Sequence, residues 1–172
     1  MAEEKQKLHY ISALVEDKPG VMFRITSLIR RRAFNINSIT VGPTEHEGVS
    51  RLTMTIKGDE RIVEQVIKQL AKLVDVIKIS EIRPEESVVR ELALIKVHVK
   101  DHTARNDVIQ YVNIFRGRIV DVSSHSMIVE IVGDEDKVNA FVNLMKEFGI
   151  EELAKTGVVA MSRGVKSIKV RE

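Results

Sequence analysis

The sequence predicts an α+β fold of two similar halves, each an antiparallel sheet with two helices on one face. The first observation is composition, since 24 Val and 19 Ile make up one quarter of the 172 residues and β-branched side chains favour sheet. The second is an apolar pattern that switches between periods of 2 and 3.6 residues. The third is an internal repeat, in which Gly58-Asp59-Glu60 recurs as Gly133-Asp134-Glu135.

The first half has the order strand, helix, strand, strand, helix, strand (βαββαβ). Its helices are indicated by apolar residues at helical spacing, and its clearest strand by the alternation of Leu52, Met54 and Ile56, which should point inward from a half-buried strand. Glycine and proline mark the breaks between elements. In chain order, the predicted elements are a strand (8–16), a helix from Val21, an extended segment (35–41), a turn at Gly42-Pro43, a strand (50–57), a helix from Gly58 and a strand (74–82).

The second half follows a cluster of proline, charge and serine at residues 83–87, which is typical of a linker. The apolar stripe of the second helix recurs at an offset of 75 residues, so both halves should be ferredoxin-like layers. We therefore predict a first domain (1–82), a linker (83–91) and a second domain (92–172). The second domain should contain a strand (92–100), a helix (103–116) with Gly117 as its C-cap, strands at 118–123 and 127–132, and a helix from Gly133.

Charge and cysteine content narrow the function. The 27 basic and 25 acidic residues nearly cancel, so no large-scale field favours nucleic acid or an anionic membrane. The absence of cysteine excludes disulfides, thiolate metal sites and a cysteine nucleophile. No segment approaches the apolar length that spans a bilayer, and the N-terminus has no apolar core. We expect a cytoplasmic protein without nucleic-acid or membrane partners.

A candidate binding site lies where the first strand turns into the first helix, at Gly20. The first N–H groups of a helix lack partners and carry positive potential, so a carboxylate can bind there, and glycine lets a ligand approach closely. Pro19 fixes the entry to the helix. Asp17 can either cap the helix or pair with a ligand's ammonium group. Spacing alone favours a simple capped turn over a binding site.

Asn35 begins the next strand, at the far end of the same helix. If two copies pack with these edges together, residues 35–37 of one chain can face residues 17–20 of the other and complete an amino-acid pocket. Such pairing would cover sheet edges and create two equivalent sites by two-fold symmetry. The pattern therefore favours a homodimer.

Six stretches, in order between about Leu8 and Gly164, carry a resemblance to a known family. They are LVEDKPG (14–20), FNINSITV (34–41), SRLT (50–53), KLVDV (72–76), IFRGRIVDV (114–122) and TGVVAMSRG (156–164). Together they resemble the small regulatory subunits of acetohydroxyacid synthase (acetolactate synthase). The first half is similar to an ACT domain, a βαββαβ module that binds small amino acids at a dimer interface.

The resemblance implies a regulatory subunit and not an enzyme. Such a subunit stimulates a separate catalytic subunit and confers feedback inhibition by valine or a related branched-chain amino acid, in isoleucine, leucine and valine biosynthesis. The resemblance also implies that this chain holds no cofactor. Thiamine diphosphate, magnesium and FAD are expected on the catalytic subunit.

The resemblance also implies the effector-binding residues. They are Asp17, Gly20 and Asn35, with backbone from Val21, Met22 and Ile36. This chain departs from many relatives, which have Asn in place of Asp17. Because an anionic Asp17 favours an ammonium group over a carboxylate, we place the effector's ammonium towards Asp17 and its carboxylate on the helix N-terminus. The corresponding segment of the second half, residues 100–104, contains neither glycine nor proline. We expect effector sites in the first half only.

Other functions fit the sequence less well. An amino-acid-sensing transcriptional regulator would need a DNA-binding helix pair or basic arm, and Arg30-Arg31-Arg32 is better interpreted as a solvated helix end. A free-standing enzyme would need a cofactor loop or a nucleophile–base pair with suitable spacing. His98, His102 and His125 suggest a metal, but a strand should end between the first two, so they should not share a helix face.

Overall fold

Residues 8–169 are described by a computed structural model, in which they form two compact units. The first unit contains residues 8–88 and 157–169, and the second contains Val89–Thr156. In chain order, the helices and strands are β1 (Leu8–Glu16), α1 (Val21–Arg31), β2 (Ile36–Pro43), β3 (Val49–Lys57), α2 (Glu60–Leu70), β4 (Val76–Ile82), β5 (Ser87–His98), α3 (His102–Ile114), β6 (Arg118–Val122), β7 (Ser126–Gly133), α4 (Glu135–Met145), β8 (Ile150–Lys155) and β9 (Val159–Ser162).

Each unit is an antiparallel sheet whose apolar face packs against two helices. The strand orders are β2-β3-β1-β4 in the first unit and β6-β7-β5-β8 in the second. In each unit, strand and helix side chains share one buried core. The predicted α+β class with tandem ferredoxin-like layers is confirmed.

The predicted internal repeat is confirmed in the caps of α2 and α4. The Asp59 carboxylate accepts a hydrogen bond from the Ile62 N–H at 2.9 Å, and the Asp134 carboxylate accepts one from the Lys137 N–H at 2.9 Å. Both aspartates therefore satisfy an N–H group that the helix itself leaves free. The repeat also preserves the buried stripes: Val63, Val66 and Leu70 in α2, and Val138, Phe141 and Met145 in α4.

The predicted linker, residues 83–91, is structured. Pro84–Glu86 form a 3-10 helix, and β5 begins at Ser87, before the predicted strand start. Glu91 is buried within β5, with its carboxylate 2.9 Å from the Lys155 ammonium. The cluster of proline, charge and serine that predicted a linker therefore forms the 3-10 helix and the start of β5, and the buried, ion-paired Glu91 interrupts the apolar pattern without ending the strand.

Residues 157–169, hereafter the C-terminal segment, fall within the predicted second domain (92–172) and are grouped with the first unit in the structure. The Arg163 N–H donates a hydrogen bond to the Glu86 carbonyl oxygen at 2.8 Å. A Cβ atom on Gly157 would meet the Thr40 side chain, so the backbone there lies directly against β2. Because β9 also contacts β4, at the opposite edge of the sheet, the segment crosses the sheet face that α1 and α2 leave uncovered.

This crossing corrects the prediction that β3 is a half-buried strand. Leu52, Met54 and Ile56 are buried against the helices, as predicted. Thr53 and Thr55 point to the opposite face and are also buried. The alternation in β3 therefore separates an apolar face from a polar face, and the C-terminal segment lies over the polar one.

The structure shifts one predicted turn and one predicted helix cap. Gly42 and Pro43 lie within β2, and the turn follows them, closed by a 3.0 Å hydrogen bond from the Thr44 N–H to the Val49 carbonyl oxygen. Proline is tolerated in β2 because this is an edge strand, where an N–H group is dispensable. The predicted C-cap of α3, Gly117, lies two residues beyond the observed cap, Phe115, and the residue between them, Arg116, takes the left-handed conformation with φ 53°.

Candidate functional site

The loop between β1 and α1 is fixed by its backbone. The Glu16 N–H donates a hydrogen bond to the Asp75 carbonyl oxygen at 2.9 Å, and the Asp17 N–H donates one to the Gly48 carbonyl oxygen at 2.8 Å. These contacts join the loop to two other parts of the first unit. The chain therefore enters α1 in a defined geometry.

Gly20 is the N-cap residue of α1, with φ 87° and ψ −11°. This left-handed conformation is one that glycine adopts without strain. No side chain caps this end of α1, and its first turn contains no acidic residue. The Val21 N–H donates a 3.3 Å hydrogen bond to the Lys18 carbonyl oxygen. The next N–H groups, those of Met22 and Phe23, are directed at the space beyond the helix, where a negatively charged group is stabilised.

Of the two roles considered for Asp17, capping α1 or pairing with a ligand's ammonium group, the first is excluded. Its side chain is exposed and does not cap α1, so the interpretation of the loop as a simple capped turn is wrong in that respect. Val21 is buried and Met22 packs against the same core. Their side chains hold the helix in place. Of their two backbone N–H groups, that of Val21 is bonded to the Lys18 carbonyl oxygen, so the Met22 N–H is the one that can face a ligand.

Among the four α-helices of the described chain, only α1 lacks an aspartate cap. Asp59 and Asp134 cap α2 and α4, and in α3 the Asp101 carboxylate accepts a hydrogen bond from the Ala104 N–H at 2.8 Å. In the second unit the corresponding helix end is thus occupied by the chain's own carboxylate. This difference favours an anion site in the first unit alone.

The structure separates the predicted effector residues into two groups. Asp17, Gly20, Val21 and Met22 lie at the start of α1, whereas Asn35 and Ile36 lie beyond its other end. A helix of 11 residues is about 16 Å long, so one chain does not bring the two groups together. β2, which follows Asn35, is an edge strand of its sheet, and Asn35 is exposed.

A paired arginine and aspartate lie behind the loop. Arg24 Nε and Nη2 donate to the two carboxylate oxygens of Asp75, each at 2.6 Å. The Asp75 side chain is only 6% exposed. The hydrogen bonds from Arg24 lower the pKa of Asp75 below its ordinary value of 3.8. This pair is not predictable from local sequence patterns, because 51 positions separate its members and neither belongs to an apolar pattern.

The lowered pKa of Asp75 predicts an acid-dependent stability. A carboxyl group whose pKa is lower in the folded state stabilises the fold above its unfolded pKa, and this contribution is lost as pH falls through the folded value. We expect the stability difference between the wild-type chain and Asp75→Asn to be largest at neutral pH and to shrink below about pH 4. Denaturant unfolding between pH 2.5 and 7 measures it.

The control for this prediction is Asp121→Asn, which removes a carboxylate from an exposed position on β6. A stability difference between Asp75→Asn and the wild-type chain that stayed constant from neutral to acid pH would contradict the prediction.

The histidines considered as metal ligands are dispersed. His98 ends β5, with Nδ1 3.2 Å from a Glu151 carboxylate oxygen, and His102 begins α3. The strand therefore ends between them, as predicted. Within residues 8–169, no group of three or more His, Asp or Glu side chains is placed to hold a metal ion. No helix in the same range is long and apolar enough to cross a membrane.

Two family models match this chain. Residues 11–78 match the AHAS small subunit-like ACT domain, and residues 90–164 match the small subunit of acetolactate synthase. The first range covers most of the first βαββαβ layer, and the second covers the second βαββ repeat and continues into the C-terminal segment as far as Gly164.

Individual relatives match over nearly the whole chain. A probable acetolactate synthase small subunit of Methanothermobacter thermautotrophicus is 51% identical, covering 98% of this chain and 100% of the relative. A probable acetolactate synthase small subunit of Archaeoglobus fulgidus is 57% identical, and the match covers 92% of this chain and 98% of the relative. The crystal structure of the acetolactate synthase small subunit from Thermotoga maritima matches with a TM-score of 0.86 at 48% identity, and the match covers 92% of this chain and 98% of that chain.

Proposed function

This chain belongs to the family of acetolactate synthase small subunits, and from that membership we propose that it is the effector-sensing regulator of a separate catalytic subunit. In this proposal the chain is a cytoplasmic protein that stimulates the catalytic subunit and makes it sensitive to feedback inhibition by valine or a related branched-chain amino acid. The catalytic groups and cofactors, namely thiamine diphosphate, magnesium and FAD, lie on the catalytic subunit.

The uncapped N-terminus of α1 is the observation that carries the proposal. An amino acid presents a carboxylate and an ammonium group on one carbon atom. The free first-turn N–H groups, beginning with that of Met22, suit the carboxylate, and the exposed carboxylate of Asp17 suits the ammonium. The loop is already held by two backbone hydrogen bonds, so little ordering is needed on binding.

A complete site in this proposal needs a second copy of the chain. Asn35 and Ile36 lie at the far end of α1, so they can reach an effector at Gly20 only from a partner chain. Pairing along the edge strand β2 would supply them and would cover the unpaired backbone groups of that edge. The resulting homodimer would carry two equivalent effector sites.

The decisive test is the activity of the cognate catalytic subunit with and without this chain, titrated separately with valine, leucine and isoleucine. We expect the chain to raise the activity and the preferred amino acid to lower it again. An activity that responds neither to the chain nor to any of the three amino acids would refute the proposal. Formation of acetolactate from pyruvate by the chain alone would also refute it.

A further inference from the structure

We propose that an exposed surface on α1 is the site at which this chain docks on the catalytic subunit, through an apolar patch bordered by carboxylates on that partner. We call it the α1 surface, and the inference rests on the proposed function. Its members are Phe23, Ser27, Arg30, Arg31, Leu73 and Val74.

The apolar part of the α1 surface is unusually exposed. Phe23 is 74% exposed and Val74 is 91% exposed. Phe23 and Leu73 border a hollow of about 690 Å³ that the arginine side chains also line. An exposed aromatic residue beside a hollow is typical of the anchor positions of protein interfaces.

The charge of the α1 surface indicates the chemistry of its partner. Arg30 and Arg31 are exposed in the last turn of α1, and no carboxylate among residues 8–169 forms an ion pair with either. The third arginine in the hollow, Arg24, is already paired with Asp75. The surface therefore offers two uncompensated positive charges beside an apolar centre, which fits an acidic and apolar protein surface.

A second copy of this chain is a poor occupant. In a two-fold symmetric dimer the same patch of both copies meets, so the arginines of both copies would enter one interface to which the patch contributes no carboxylate, and like charges brought together disfavour association. The proposed dimer uses the β2 edge instead. The α1 surface therefore remains free for the other protein that the proposed function requires.

The α1 surface is physically connected to the candidate effector site. Both lie on the same helix, since α1 begins beside Gly20 and ends at Arg31. Arg24, in the wall of the hollow, binds the Asp75 carboxylate. The Asp75 carbonyl oxygen accepts a hydrogen bond from the N–H of Glu16, where β1 leads into the loop before α1. An effector that shifts the loop would thus bias the position of the docking surface, as coupling between two sites requires.

The test compares two α1-surface variants, Phe23→Ser and the double variant Arg30→Glu/Arg31→Glu. Two matched controls, Val165→Ser and Arg61→Glu, change exposed residues of the same unit that lie outside the surface. Affinity for the catalytic subunit and stimulation of its activity are measured for all four. We expect each α1-surface variant to bind at least about tenfold more weakly and the controls to match the wild-type chain. The defect of the double variant should shrink when salt is raised.

Further readouts separate the possible outcomes. Circular dichroism and denaturant unfolding establish that the variants fold, and calorimetry on the isolated double variant should show unchanged effector affinity. If the wild-type chain binds and stimulates the catalytic subunit and the folded variants do the same, the docking proposal is overturned while the proposed function stands. If the wild-type chain neither binds nor stimulates it, the proposed function itself fails. Altered self-association in sedimentation, with normal affinity for the catalytic subunit, would assign the surface to a second copy and overturn the docking proposal.

Discussion

The Gly20→Asp variant is expected to lose valine affinity by about a hundredfold or more, because its carboxylate would occupy the place proposed for the effector's carboxylate. Asp59, Asp101 and Asp134 cap the other helices from extended backbone, whereas position 20 is left-handed with φ 87°, so the new carboxylate acts through its charge and not as a cap of the same geometry. Calorimetric titration of the chain with valine measures the loss.

Two further variants separate charge from backbone strain. Gly164→Asp places the same side chain at another left-handed glycine, with φ 67° and no atom near the added Cβ, so its valine affinity should equal that of the wild-type chain. Gly20→Ala adds strain and a Cβ atom 3.3 Å from Arg24 Nη1 without adding charge, so its loss of affinity should be smaller. Unchanged valine affinity in a folded Gly20→Asp variant would disprove the proposed orientation of the effector.

The Phe141→Ala variant is expected to destabilise the second unit by about 3–5 kcal/mol, since it leaves a cavity in a packed core. Phe141 is fully buried on α4. Its ring packs edge-to-face on that of Phe115, with the ring centres 5.2 Å apart. Removing the ring therefore loses burial and an aromatic contact at once. Denaturant unfolding of the full chain, followed by circular dichroism, measures the change.

Phe23→Ala is the matched control for that substitution, because the same side chain is lost from a position that is 74% exposed. We expect it to change stability by less than about 0.5 kcal/mol. Similar losses of stability in the two variants would mean that Phe141 is not a core residue or that the Phe23 side chain is not exposed. The same experiment thereby checks the exposure on which the docking proposal depends.

The secondary structure of this chain was largely predictable because its signals are local. A 3.6-residue apolar spacing predicted α2 and α4, and the repeated Gly-Asp-Glu tripeptide located both helix starts. Alternation in β3 identified its core-facing side chains correctly. The errors arose where a local signal has two meanings. Pro43 is the last residue of an edge strand, where a turn was predicted. The buried Glu91 lies within β5, where a linker was predicted.

The candidate site was predictable only in part. The sequence pointed to Gly20 as a helix start next to a tight loop, but it left open whether Asp17 caps that helix. Capping depends on where a side chain lies in three dimensions, and the structure shows α1 uncapped. The sequence also predicted Asn35 at the far end of α1 from Gly20, and the structure places the two residues at opposite ends of that helix.

What the sequence determined by itself is the order of elements, the duplicated layer and the buried stripe of each helix, because each depends on neighbours within a few residues. The tertiary structure alone decided the Arg24–Asp75 pair, the burial of both faces of β3 and the return of the C-terminal segment to the first unit. These features join positions far apart in the chain. Such contacts leave no periodic trace, since they form only when the folded backbone brings their members within bonding distance.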